Sequence, residues 1–596
     1  MIRHGRRFID PILLLLAGNL FAQADFEAEP ISVTASRLHA SLVSSAREVT
    51  VISSDQIRNA PAATLMDLLY ISGLDVSRRG LGGMQSDLSL RGSTFEQVLI
   101  LVDGVRMNDP QTGHYHGDLS LPLSNVERIE ILNGPSASLF GPDGFGGVIH
   151  IITRSAQKSR TNLKVSGGNF GTLGFEAMQQ FSVGPLHQSL SFSRQKSDGY
   201  MKETGVDTKN IAWQGDLQTG RTCFSWGLLG WDKSFGANGF YAPYPSHEKT
   251  RALQGRASVQ MQADANTKWE IKAFSRSHHN TFILIADDPG YYTNRHDSRI
   301  TGAEAVLNKK LSEKVETVLG LAYDYESLES SNLGNHHRDR TGVFGEAALH
   351  PCQNWVIHSS ARLDRWAGAW IFNPALSASW KMNEQWKWHS SVGRTYRTPN
   401  FTELYYHSPT NIGHADLKPE WAVSGESGLS WNGKTTVWET TGFLRREHRR
   451  IDWIVREPGL FEAANLPEAS VAGISARWQQ KWTGWMESSL KGELYHRHFK
   501  GYEEADLKYG PAALFKMLQA NVLFYLPLEM SLRTIITVKD RALLKDYTTV
   551  DSRLMIPISK AIFYLEGTNL LDETYTESYA VLMPGRSWNI GIQFNP

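Results

Sequence analysis

From about residue 160 to the end, apolar and polar residues alternate one by one in stretches of roughly 9 to 14 residues. Trp269 to Arg276 (WEIKAFSR) and Val318 to Tyr325 (VLGLAYDY) show the pattern. A side-chain period of two gives each strand one apolar and one polar face. The connections alternate in length. Gly184-Pro185, Asp264 to Asn266, Ser312 to Lys314, Asn383-Glu384 and Gly433-Lys434 read as short turns. Between them fall longer stretches at 197–209, 236–248, 285–298, 330–338, 398–420 and 457–469. Short turns at one end and long loops at the other are the pattern of a membrane barrel. In lipid every backbone amide needs a partner within the protein, so a spanning sheet must close on itself. Roughly 440 residues at about 20 per strand and connection predict an all-β membrane barrel of about 22 antiparallel strands. A soluble propeller would repeat at about 40–50 residues, and no such repeat is present.

Residues 45–157 read differently. Val49 to Ile52 predicts a strand, Ser54 caps a short helix, and Thr64 to Ile71 is amphipathic and stops at Gly73. Val98 to Val102 and Val126 to Leu132 are further strands, ended by Asp103-Gly104 and by Asn133-Gly134-Pro135. A barrel this wide has a lumen that needs filling, and this small α/β domain is the right element to plug it. The predicted organisation is an export signal at 1–24, a linker at 25–44, the plug at 45–157 and the barrel at 158–596.

Composition narrows the function. The 61 basic and 61 acidic residues cancel, which argues against a nucleic-acid partner. With 20% charged and 41% hydrophobic residues the chain is not globally disordered. No apolar run reaches the ~20 residues of a membrane helix. The 2 cysteines, Cys223 and Cys352, carry no metal-like spacing. At the start, Arg3, Arg6 and Arg7 precede the apolar Ile12–Ala22, and Ala22-Gln23-Ala24 fits a cleavage site after Ala24. No Gly-x-Ser-x-Gly, His-Glu-x-x-His or Walker motif appears. An enzyme is therefore not expected, although a barrel enzyme and a passive porin remain the readings of a different class.

Several motifs fall in a fixed order: LSLRG at 88–92, LVDGV at 101–105, ERIEI at 127–131 before Gly134-Pro135, and LFGPDGFGGV at 139–148 leading to IIT at 151–153. In the barrel come YRTP at 396–399, ELY at 403–405, DLKPE at 416–420 and NLLD at 569–572. Jointly they resemble the TonB-dependent outer-membrane receptors, over nearly all of the mature chain. The resemblance implies import driven from the inner membrane through a TonB–ExbB–ExbD complex. Pro30, Ile31, Ser32, Val33, Thr34 and Ala35 resemble the TonB box, an extended segment able to add to a partner's sheet edge.

The resemblance also implies a plug–barrel latch of two arginines and two glutamates. Arg91 and Glu426 match one of each; Asn133 and Ser475 stand where the others are expected. Phe594 resembles the carboxy-terminal aromatic read by the barrel assembly machinery, although Asn595-Pro596 follow it. Outer-membrane lipid and lipopolysaccharide are implied surroundings, and a monomer is expected.

Cargo should meet the plug apex and the long loops. His114, Tyr115 and His116 lie where apical plug loops fall; Phe240, Tyr241 and Tyr244 lie in one outer loop, and Tyr405, Tyr406, His407 and His414 in another. The length and loops favour cobalamin or a related corrinoid. Haem is the rival, since neutral imidazoles at these places suit iron, and a ferric siderophore remains open. No resident cofactor is implied. Asp287 and Asp288 are candidate calcium ligands.

Overall fold

The computed structural model describes residues 46–155, 159–241, 243–578 and 581–595, together with the backbone of 32–33 and 40–41. From Arg160 onward, 22 spanning strands form a closed antiparallel barrel. The first, Arg160–Gly168, pairs with the last, Ser587–Phe594, and puts Leu163 opposite Phe594. Closure leaves no edge to hydrogen-bond with lipid. The period of two survives in the burial. Between Asn294 and Gly302 buried and exposed residues strictly alternate. Leu319, Leu321 and Tyr323 point outward at 61%, 58% and 47% exposure, while Val318 between barrel and lumen is fully covered. The apolar face looks at lipid and the polar face looks inward.

The loops correct part of the expectation. Residues 457–469 are not a loop. Thr436–Glu457 and Leu460–Thr483 are strands of 22 and 24 residues that meet at a tight turn. There Gly459 takes φ +86°, open to glycine at no steric cost. This hairpin is longer than a bilayer requires. Where both faces meet water, alternation fades while the backbone ladder continues. The expected loops at 285–298 and 330–338 are likewise partly strand, because Thr293–Ser312 and Gly334–Leu349 begin inside them. Two long connections lie where none was expected, at 500–513 and 569–586.

The plug fills the lumen. Its five-stranded sheet runs Val49–Ile52, Val126–Asn133, Gly147–Thr153, Val98–Val102, Val105–Arg106. The Val98–Val102 strand is parallel to Gly147–Thr153 and the others are antiparallel. Thr64 caps the helix Leu65–Ile71 through a box with Asp67, and Ser53, one residue before the expected cap, does so for Ser54–Arg58. Leu68, Leu69, Val98, Ile129 and Ile151 form the core, which continues into the barrel wall at Ala212, Trp231 and Ile535. The plug is thus packed on the wall and not merely enclosed by it. The predicted signal at 1–24 lies outside the described residues. So do Pro30, Ile31, Thr34 and Ala35, while the Ser32–Val33 backbone pairs antiparallel with Ala40–Ser41.

Candidate functional site

The plug presents its apex through the helical turn Gly113–Asp118, capped by Thr112. Gly117 is required by proximity, since a Cβ there would sit 2.1 Å from the Ser86 carbonyl oxygen. The turn is thereby pressed on the plug hairpin Asp75–Arg78/Ser86–Ser89. His114 is consequently buried and fully engaged. Its Nδ1 bonds Asp87 at 2.8 Å and its Nε2 bonds the Tyr509 hydroxyl at 3.0 Å. Phe95 stacks on it at 4.5 Å, and Tyr241 and Tyr509 meet its ring edge-on at 5.9 and 5.6 Å. Arg79 donates to Asp87 at 2.7 Å and lies over the Phe240 and Tyr241 rings. Burial pushes the His114 imidazole below its ordinary pKa against the pull of Asp87. Burial alone would raise Asp87, but Arg79 and then His114 hold it below the usual carboxylate range. Tyr115 donates to Glu248 at 2.9 Å. His116 Nδ1 meets the Phe95 carbonyl at 3.1 Å, and burial lowers its pKa to about 4.

A second group comes from the outer loops. Tyr405 lies flat on His336, with centroids 3.6 Å apart. Tyr406 packs with Phe401, Leu404, Leu417 and Trp453. Lys508 is the node between loops. Its Nζ donates to Asn411 at 2.7 Å and lies 5.3 to 5.5 Å from the Trp453, Phe461 and Tyr509 rings. Burial, then the charge of Arg79, brings its pKa down to about 8. Tyr509 touches both groups, so the loop 500–513 joins the plug apex to the outer aromatics.

The sequence-predicted residues therefore divide. His114, Phe240 and Tyr241 share one apical cluster, with Tyr115 beside it on Glu248. Tyr405 and Tyr406 belong to the loop cluster. Tyr244 is exposed at 40%. His407 is exposed on the loop surface, and His414 is half-exposed, 4.0 Å from Glu462. Among the described residues no group of three His, Cys, Asp or Glu is placed to hold a metal ion. Asp287 accepts from Lys202 at 2.7 Å, so a cation of the protein already occupies that carboxylate. Sequence reasoning missed Arg79, Asp87, Phe95, His336, Lys508 and Tyr509. The contact of Tyr509 with the plug joins residues 395 positions apart in sequence, which no local pattern marks.

The latch residues do meet. The Arg91 guanidinium donates to Glu426 from one nitrogen and to Glu48 at 2.8 Å from the other. Gly134 takes φ +82° here, and a Cβ on it would lie 2.9 Å from Glu426. The second carboxylate thus comes from the plug itself. Asn133, standing where an arginine was expected, donates to Glu48 at 2.9 Å. Ser475 sits across from Glu493 on the next strand.

A wide closed barrel, a lumenal α/β plug and an aromatic mouth define an outer-membrane receptor. The family described as TonB dependent receptor-like, beta-barrel matches residues 193–517, and the TonB-dependent receptor plug domain matches 41–148. The chain belongs to the TonB-dependent receptors and resides in the outer membrane. Among named relatives, it is 23% identical over 494 residues to the vitamin B12 transporter BtuB of Photobacterium profundum, covering 77% of each chain. It is 24% identical to that of Vibrio vulnificus, covering 78% of this chain and 77% of the other. Among solved structures, the FrpB iron transporter of Neisseria meningitidis superposes with TM-score 0.79 at 14% identity, over 93% of this chain and all of the other. The siderophore receptor PirA of Pseudomonas aeruginosa gives 0.75 at 16%, over 92% and 99%. These two likenesses speak for the fold.

Proposed function

We propose that this receptor imports a corrinoid of the vitamin B12 class, powered by a TonB–ExbB–ExbD complex. The observation that carries the reading is the similarity to vitamin B12 transporters along about three quarters of the chain. The chemistry of the mouth supports it. A corrinoid brings its own metal, already ligated, and asks the protein for aromatic surface and polar contacts. Phe95, Tyr241, Tyr509 and Tyr405 supply the first; Arg79, Asp87 and Lys508 supply the second. An iron porphyrin would ask for an unengaged imidazole. Both nitrogens of His114 are in use, and His407 and His414 stand apart on the loop surface.

Equilibrium binding to the detergent-purified chain tests this, with tryptophan quenching and calorimetry as readouts. Cyanocobalamin should bind and should survive His114, His116, His407 and His414 changed to Ala. Tyr509→Ala, which removes the ring that joins the plug apex to the outer aromatics, should weaken it. Haemin binding with a histidine-type Soret band, lost in the same His variants, would replace the corrinoid by haem.

A further inference from the structure

We infer that cargo crosses the barrel along a crevice between the plug and the barrel's closing seam, where the first and last strands meet. The inference rests on the transport reading and goes beyond it by locating the route. The crevice measures about 1710 Å³ including its open mouth. Its plug side is Pro61–Asp67, Gly80–Gly83 and Leu119–Leu123, and its wall comes from strands 160–210 and 551–589. Phe170 and Trp588, at the outer end of the seam, line its top. A second space of about 580 Å³ continues toward the periplasmic end, lined by Arg58, Arg154, Arg160, Arg553 and Gln593. The two share Ala62, Leu123, Lys164 and Glu176. Lys164 and Glu176 face each other in register on adjacent strands. They and Leu123 form the septum that separates an outer chamber from an inner one.

The contacts say which side of the plug yields. Around the rest of the perimeter, ion pairs fix plug to wall, buried at Arg91 to Glu426, Asp75 to Arg541 at 2.9 Å and Asp118 to Lys233 at 2.8 Å, and part-buried at Asp103 to Arg256 at 2.8 Å. At the crevice, among the described residues, such a pair is found at the outer rim, Arg78 with Glu577 at 3.0 Å. Below the rim the ties are lighter. The Ser124 amide donates to Glu176 at 3.0 Å, Asn125 donates to Ser191 at 2.7 Å, and Tyr70 meets Thr549 at 3.2 Å. Arg553 donates to the Ala60 carbonyl. Each of these ties has at most one charged partner, so it lacks the attraction between two full charges that the ion pairs add, and a pull on the plug loosens this side first.

Cysteine tethers test the route in a Cys223→Ser, Cys352→Ser background of the full chain. Ser124→Cys with Glu176→Cys, bridged by a short thiol-reactive linker, ties the septum shut. Ser138→Cys with Ser360→Cys ties the plug to the wall away from the seam, where the two hydroxyls now lie 2.9 Å apart. The first readout needs no cargo: the ionic conductance that urea opens in planar bilayers. The septum tether should abolish it until the linker is cleaved, and the Ser138–Ser360 tether should leave it. Equal suppression by both tethers, or none by the septum tether, overturns the route. The second readout is cyanocobalamin uptake by cells, with the same pattern expected. Failure of cyanocobalamin to bind the untethered receptor would refute the corrinoid reading and leave the conductance result to decide the route.

Discussion

His116 lies neutral at the plug apex, on the Phe95 carbonyl and beside Asn108. Its pKa falls from 6.5 to about 4, with burial the first cause. The unfolded plug therefore binds a proton between those values that the folded plug refuses. Stability from this residue is complete above about pH 6.5 and is lost as pH falls toward 4, by on the order of 3 kcal/mol. Calorimetric scans of the receptor from pH 7 down to 4 should show His116→Gln losing less stability than the parent. An unchanged slope would remove His116 from the acid response. The same scale explains what could be read in advance. Arg91 and Glu426 were legible because their neighbours form motifs. That Glu48 supplies Arg91's second carboxylate was not, because Glu48 sits in an unremarkable Arg-Glu-Val stretch and meets Arg91 only when the plug folds.

At the scale of elements, the loop 398–419 is built on one carboxylate. Asn400 caps the helix Phe401–Tyr405 by a reciprocal box with Glu403. Glu403 also accepts both terminal nitrogens of Arg397, each at 2.9 Å. The helix start then donates to the plug, Phe401 to the Pro110 carbonyl at 2.9 Å and Thr402 to that of Gln111 at 3.0 Å. Arg397→Lys keeps the charge but loses the fork, at a cost of about 1–3 kcal/mol. Hydrogen exchange should quicken across 398–419, including the Phe401 and Thr402 amides that donate to the plug, while the barrel strands keep their protection. Uniform exchange would show that the loop is held by its apolar cluster alone. The sequence marked this loop through its YRTP and DLKPE boxes. It did not mark the loop 500–513, whose polar, glycine-bearing composition reads as an ordinary connection.

For the whole molecule, coupling and binding should separate. Deleting residues 30–35 removes the proposed grip of the energy-coupling partner and leaves the residues of the mouth unchanged. Cyanocobalamin affinity should stay within about twofold, and energised uptake should vanish. Uptake that persisted would mean passive diffusion, and the plug's ion pairs with the wall would then not close the pore.

The strand period, the turn residues and the demand that lipid imposes on backbone amides determined the barrel and its plug from the sequence alone, and the ordered motifs carried the family resemblance. Those are local signals, repeated over hundreds of residues and therefore hard to obscure. What the tertiary structure decided is which polar side chains meet. The pairing of His114 with Asp87 and Tyr509, the node at Lys508, and the light contacts along the seam join residues tens to hundreds of positions apart. No local pattern carries that information, because a closed sheet brings its two chain ends together only once every strand between them is in register.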